Sequence, residues 1–71
     1  MAGQIRASMT GTIWKILVKE GDTFSAGDEL VILESMKMEI PIETEVSGTV
    51  EKILMKEGDV IEEDAVIIIY I

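Results

Sequence analysis

The chain has 71 residues, no cysteine and no histidine, and 14 acidic side chains against six basic ones give it a net charge of −8. That length holds one domain with a small core, and the missing residues exclude disulfides, imidazole bases and metal sites built on thiolate or imidazole. The negative charge opposes nucleic acid and anionic membrane surfaces, which need Lys and Arg to neutralise phosphate. No apolar run approaches the roughly 20 residues of a membrane span, and the start Met1-Ala2-Gly3-Gln4 lacks the pattern of a secretory signal. A single monomeric domain over 1–71, soluble and cytoplasmic, is the expectation.

In chain order, Thr12–Val18 is rich in Ile, Val and Leu and predicts a strand. It ends at Glu20-Gly21-Asp22, a turn whose glycine is free to take positive φ. A short strand at Thr23–Phe24, a second turn at Gly27 and a strand over Glu29–Glu34 follow. The same order then returns. Gly48–Ile71 aligns with Gly11–Glu34 without a gap at an offset of 37 residues, and both copies carry KIL-x-KEGD. Thr49–Met55, Val60–Ile61 and Val66–Ile71 are the matching strands. Gly27 aligns with Asp64, which predicts a weaker second turn. Trp14 aligns with Glu51, so the repeat does not fix its side of the sheet, and partial burial is expected. No segment keeps a helical period.

The expected fold is therefore all-β. Each repeat exposes one apolar face, and packing the two face to face makes a quasi-twofold β-sandwich or flattened barrel. The stretch Ser35–Ser47, SMKMEIPIETEVS, falls outside the 11–34 and 48–71 repeats. Under the offset Lys37 maps to positions 0 or 74, just beyond either end of the chain. Symmetry thus equates the Lys37 hairpin with the place where the termini meet, and sets the two at opposite ends.

Val31–Ser35 and Met38–Ile42 predict strands, leaving Met36-Lys37 as a two-residue hairpin loop. Such loops favour Asn-Gly or Asp-Gly, because both residues need positive φ. Glu34 and Glu39 then face each other across the strands, a destabilising pair. Places where local rules fail are candidates for function. Met36 and Met38 bracket a tip that cannot reach the core, so core filling does not explain them. Pro41 lacks an amide hydrogen and belongs at an edge or bulge. Asp22, Asp28, Asp59 and Asp64 could in principle serve a hydrolase or a metal, but Asp22 and Asp59 occupy equivalent turns, which already explains them.

Glu34-Ser35-Met36-Lys37-Met38-Glu39, midway between two KEGD units, resembles the attachment motif of biotin carboxyl carrier domains, usually Ala-Met-Lys-Met. The resemblance runs from Ile5 to Ile71. Met9-Thr10-Gly11-Thr12 is similar to the family's leading strand, and Ser47-Gly48-Thr49-Val50 to its second-half counterpart. It implies the biotinyl/lipoyl barrel-sandwich hybrid, two four-stranded antiparallel sheets with an attachment hairpin over 35–40. It implies covalent biotin on Lys37, with Met36 and Met38 read by a biotin protein ligase and Glu34, Ser35 and Glu39 beside them in that contact. An aliphatic amine is mostly protonated at neutral pH, and the chain has no histidine to deprotonate it, so the ligase must supply the base. The further partners implied are a biotin carboxylase that loads a carboxyl group and a carboxyltransferase that removes it, with the domain itself non-catalytic. Ser35 stands where the family usually has Ala, and Thr10 where it usually has Pro. The first half carries no insertion, which resembles carriers without a thumb and small stand-alone attachment proteins. Lipoate is the alternative cofactor, although lipoyl hairpins usually place Asp before and Ala after the lysine. An unmodified interaction module is the alternative from another class.

Overall fold

A computed structural model describes residues 3–71. It contains eight strands and, among the described residues, no helix: β1 Gly3–Arg6, β2 Gly11–Ile16, β3 Thr23–Phe24, β4 Glu29–Ser35, β5 Met38–Glu43, β6 Gly48–Ile53, β7 Val60–Ile61 and β8 Val66–Tyr70. They form two four-stranded sheets, β1-β8-β6-β3 and β5-β4-β2-β7, and every pairing is antiparallel. The short strands β3 and β7 lie where the sequence predicts them. The expected strands at Thr12–Val18 and Thr49–Met55 stop two residues early, at Ile16 and Ile53. There the chain leaves the ladder, although Leu17 and Leu54 still donate to the carbonyls of Leu30 and Ile67.

The repeat is longer in space than in sequence. The same offset of 37 residues that relates β2 to β6 and β3 to β7 also carries β1 onto β5 and β4 onto β8. Ile5 pairs with Ile68 as Ile42 pairs with Val31. Ala7 bonds to Ala65 and Asp64 as Thr44 bonds to Asp28 and Gly27. Residues 40–46 thus do have a counterpart, the chain from Gly3 to Met9. It escapes sequence alignment because the two segments share two buried positions and a backbone ladder but only one identical residue, Ile5 and Ile42.

The halves also do not form one sheet each, as face-to-face packing of two units would require. Each sheet takes two strands from each half. The exchange is carried by the KEGD turns. Gly21 of the first turn donates to the Val50 carbonyl and Gly58 of the second to that of Ile13, both at 2.8 Å. The Glu20 carboxylate accepts the Ile53 amide and the Glu57 carboxylate the Ile16 amide, both at 3.1 Å. Each turn therefore satisfies one backbone carbonyl and one backbone amide of the other half through these bonds. Gly21 and Gly58 have φ of 94° and 95°, a region closed to side chains at low cost.

Between the sheets lies one apolar core of equivalent pairs: Ile5 with Ile42, Ile13 with Val50, Phe24 with Ile61, Leu30 with Ile67, Val31 with Ile68. β4 and β8 each bury two consecutive residues, Leu30-Val31 and Ile67-Ile68, so they read as apolar runs rather than as strict alternation. Thr44, the one buried polar residue among those described, satisfies its hydroxyl on the backbone of Val46. Trp14 sits at a β-bulge between Ile13 and Lys15 and is 41% exposed, more than partial burial predicts. A bulge turns its extra residue away from the packed face, and the Lys15 ammonium lies 5.2 Å from the Trp14 ring centroid.

Candidate functional site at the β4–β5 hairpin

The hairpin is rooted in the core and bare at its tip. Leu30, Val31 and Leu33 of β4 and Ile42 of β5 are buried, and their pairing fixes the register: Val31 opposite Ile42, Leu33 opposite Ile40, Glu34 opposite Glu39, Ser35 opposite Met38. A slip of one residue would turn that whole row to solvent, so Met36-Lys37 must close the loop. Met36 and Lys37 have φ of 53° and 65°, the left-handed pair of a type I′ turn. Each residue other than glycine held there costs roughly 1–2 kcal/mol. The burial at the root offsets it.

The outward row of the hairpin holds Glu34 on β4 and Glu39, Pro41 and Glu43 on β5, all exposed. Glu34 and Glu39 face each other, and Glu29 faces Glu43. Lys37 is the only cation on this acidic ribbon. Pro41 lies on β5, an edge strand, where its missing amide hydrogen leaves no central ladder bond unmade. Met36 is 92% exposed and Met38 64%, so neither thioether serves the core. All six residues predicted for the site, Glu34 to Glu39, therefore gather at this tip.

Gly11, which opens the first repeat, shapes the foot of the hairpin, a role the repeat alone does not reveal. A Cβ on Gly11 would lie 2.8 Å from the Glu34 carbonyl oxygen, so only glycine lets β2 lie this close to β4 beside the tip. Its equivalent, Gly48, meets the Ile71 carbonyl in the same way at the other end. There Gly3 opposes Tyr70, and Ile71 exchanges backbone bonds with Thr49. The run from β1 through residues 7–10 into β2 separates the two places. The hairpin and the first and last described residues thus occupy opposite ends of that run, as the symmetry requires.

The aspartates are occupied elsewhere. Carboxylates of Asp22, Asp28 and Asp59 accept the amides of Lys19, Ser25 and Lys56, each three residues back, at 2.8, 2.9 and 3.0 Å. Asp64 takes the left-handed place of Gly27, with φ of 71° against 94°. These are turn-forming roles, and among the described residues no three acidic groups gather as a metal site would need. A groove does exist on the quasi-twofold axis, lined by Ile16, Val18, Ile53 and Met55 with Lys19 and Lys56 at its rim. It lies at the far end of β2 from Gly11 and follows from the meeting of two equal KEGD turns.

Among known proteins, the family described as "Biotin-requiring enzyme" matches residues 3–70. The "Biotinylated protein TB7.3 homolog" of Mycobacterium leprae (strain TN) is 50% identical over 42 residues, 59% of this chain and 59% of that protein. The "Biotin/lipoyl attachment protein" of Bacillus subtilis (strain 168) is 55% identical over 38 residues, 54% of this chain and 52% of that protein. The matches thus span little more than half of these relatives' lengths. The crystal structure of the Kluyveromyces lactis urea carboxylase superimposes with a TM-score of 0.91 at 35% identity, covering 100% of this chain and 6% of that one.

Proposed function

The chain belongs to the biotin-requiring enzyme family, and from that premise we propose that it is a biotin carboxyl carrier domain with Lys37 as the acceptor of covalent biotin. The observation that carries this is the tip: a lone lysine, exposed, held at positive φ between two exposed methionines on a hairpin whose root is buried. An amide to biotin needs one primary amine held out in solvent, and the tip residues fit that need. Once bound, biotin supplies a ureido ring able to carry a carboxyl group between two enzymes. The chain's own part is mechanical. β4 and β5 hold the lysine backbone at a fixed place, and the acidic ribbon below it keeps the tip hydrated.

Met36 and Met38 offer a biotin protein ligase two apolar contacts beside the amine, with Glu34, Ser35 and Glu39 as flanking polar ones. A biotin carboxylase and a carboxyltransferase are the partners this role requires, and its likeness to one small part of the urea carboxylase, 6% of that chain, supports a carboxylase setting. The domain itself is non-catalytic and cytoplasmic in this reading. It extends as one unit over 1–71, with the attachment hairpin at 35–40.

A second reading, lipoate on the same lysine, is favoured by the name of the B. subtilis relative. Intact mass and peptide mapping after co-expression with a biotin ligase, and separately with a lipoyl ligase, decide between them. One biotinyl group on Lys37 alone is the expected result. Lipoylation alone moves the domain to oxo-acid chemistry, and no modification by either ligase rejects the carrier role. Met36→Asp combined with Met38→Ala is expected to move acceptance from the biotin ligase towards the lipoyl ligase. An unchanged preference would place recognition on Glu34, Glu39 or Glu43 instead.

A further inference from the structure

Four of the chain's five methionines lie in the described residues, and they fall into two classes. Met9 and Met55 are partly buried and packed against the core. Met36 and Met38 are 92% and 64% exposed, on either side of Lys37. Oxidation of a thioether follows its access to the oxidant. The chain has no cysteine, so no thiol or thiolate competes for a peroxide. The two most accessible sulfur atoms described are thus the two that flank the amine.

We propose that Met36 and Met38 form a reversible oxidation site, and that their sulfoxides block loading of Lys37. In the step, a thioether lone pair attacks a hydroperoxide oxygen. The O–O bond breaks, an S–O bond forms, the sulfur is oxidised, and the other peroxide oxygen leaves reduced, as water when the oxidant is hydrogen peroxide. The product is polar and chiral where the parent was apolar. Burying it against an apolar ligase surface leaves a strong acceptor without a partner. Reversal transfers the sulfoxide oxygen to water while a dithiol becomes a disulfide, as the methionine sulfoxide reductases do for each epimer.

The fold itself is untouched by the change. Neither sulfur contributes to the core, and the register of the hairpin is set by Val31, Leu33 and Ile42. The gate therefore acts on recognition, with the domain still folded. It rests on Lys37 being the biotin acceptor.

The test treats the unmodified full chain with hydrogen peroxide, follows oxygen uptake by peptide mass mapping, and then measures biotin ligation. Met36 and Met38 are expected to oxidise before Met9 and Met55, with the thermal melt unchanged. The ligase kcat/KM is expected to fall about tenfold or more, and to return after treatment with both sulfoxide reductases. The double variant Met36→Leu, Met38→Leu is expected to show the same rate with and without peroxide, whatever its basal rate. Oxidation falling first on Met9 or Met55 overturns the proposal, as does an unchanged ligation rate or a loss the reductases do not reverse. A reduced domain that accepts no biotin overturns the acceptor assignment and the gate with it. The peptide map distinguishes that failure, because the order of oxidation does not involve the ligase.

Discussion

The KEGD turns and the Lys37 tip solve the same backbone problem in opposite ways. Both reverse the chain through residues at positive φ. At Gly21 and Gly58 the residue is the one that tolerates this region, an aspartate carboxylate caps each turn, and the arrangement occurs twice. At Met36 and Lys37 neither residue suits the region, nothing caps the turn with a carboxylate, and the arrangement occurs once. At the two KEGD turns, where only the fold is at stake, the chain obeys the local rule; at the equivalent of Gly27 it settles for Asp64, a residue that tolerates the region. At the tip it tolerates strain to keep particular side chains in place, and the buried root makes that possible.

The sharpest way to separate the two regions is Lys37→Arg. It is expected to abolish modification completely, measured by intact mass, while stability stays within about 0.5 kcal/mol of the parent, as for other exposed sites. A large drop in stability would mean that the tip is not the free hairpin described above. Leu33→Ala attacks the root. Loss of a fully buried leucine is expected to cost about 2–5 kcal/mol in a denaturant melt, and ligation should fall in step with the unfolded fraction.

Gly21→Ala and Gly58→Ala test the repeated turns. A Cβ there meets no atom within 4 Å, so only backbone strain is added, about 1–2 kcal/mol for each. Symmetry predicts equal losses, and unequal ones would show that the two turns are not equivalent in energy. The reverse experiment puts ideal turn residues at the tip. Met36→Asn with Lys37→Gly is expected to raise stability by up to about 1–2 kcal/mol while removing the acceptor. No gain in melting temperature would show that the tip carries less strain than its dihedral angles imply.

Much of this was legible before any coordinates. Enrichment in Ile, Val and Leu marks β2, β4, β6 and β8, and Gly21, Gly27 and Gly58 mark the turns between them. The two-residue loop at Met36-Lys37, and the opposition of Glu34 and Glu39, follow from the strands on either side. Nothing in the sequence marks β1 as a strand. Its four residues, GQIR, hold one buried side chain, Ile5, too little for a period to show. The exposure of Trp14 is not legible in the sequence, because the bulge that rotates it lies in the pairing of β2 with β4, and no residue type announces it.

The sequence by itself determined the all-β class, the two equal halves and the lysine on which function is proposed to turn. These rest on local patterns: segments rich in Ile, Val and Leu, glycine at turns, identical residues at a constant offset, and a Met-Lys-Met tip that resembles an attachment motif. The tertiary structure alone decided that each sheet draws on both halves, that Glu20 and Glu57 cap strands of the opposite half, and that Gly11 admits β4 beside the tip. Those features are hydrogen bonds and close contacts between residues distant in the chain. Their energy depends on which strand becomes whose neighbour, and a one-dimensional pattern carries no record of that.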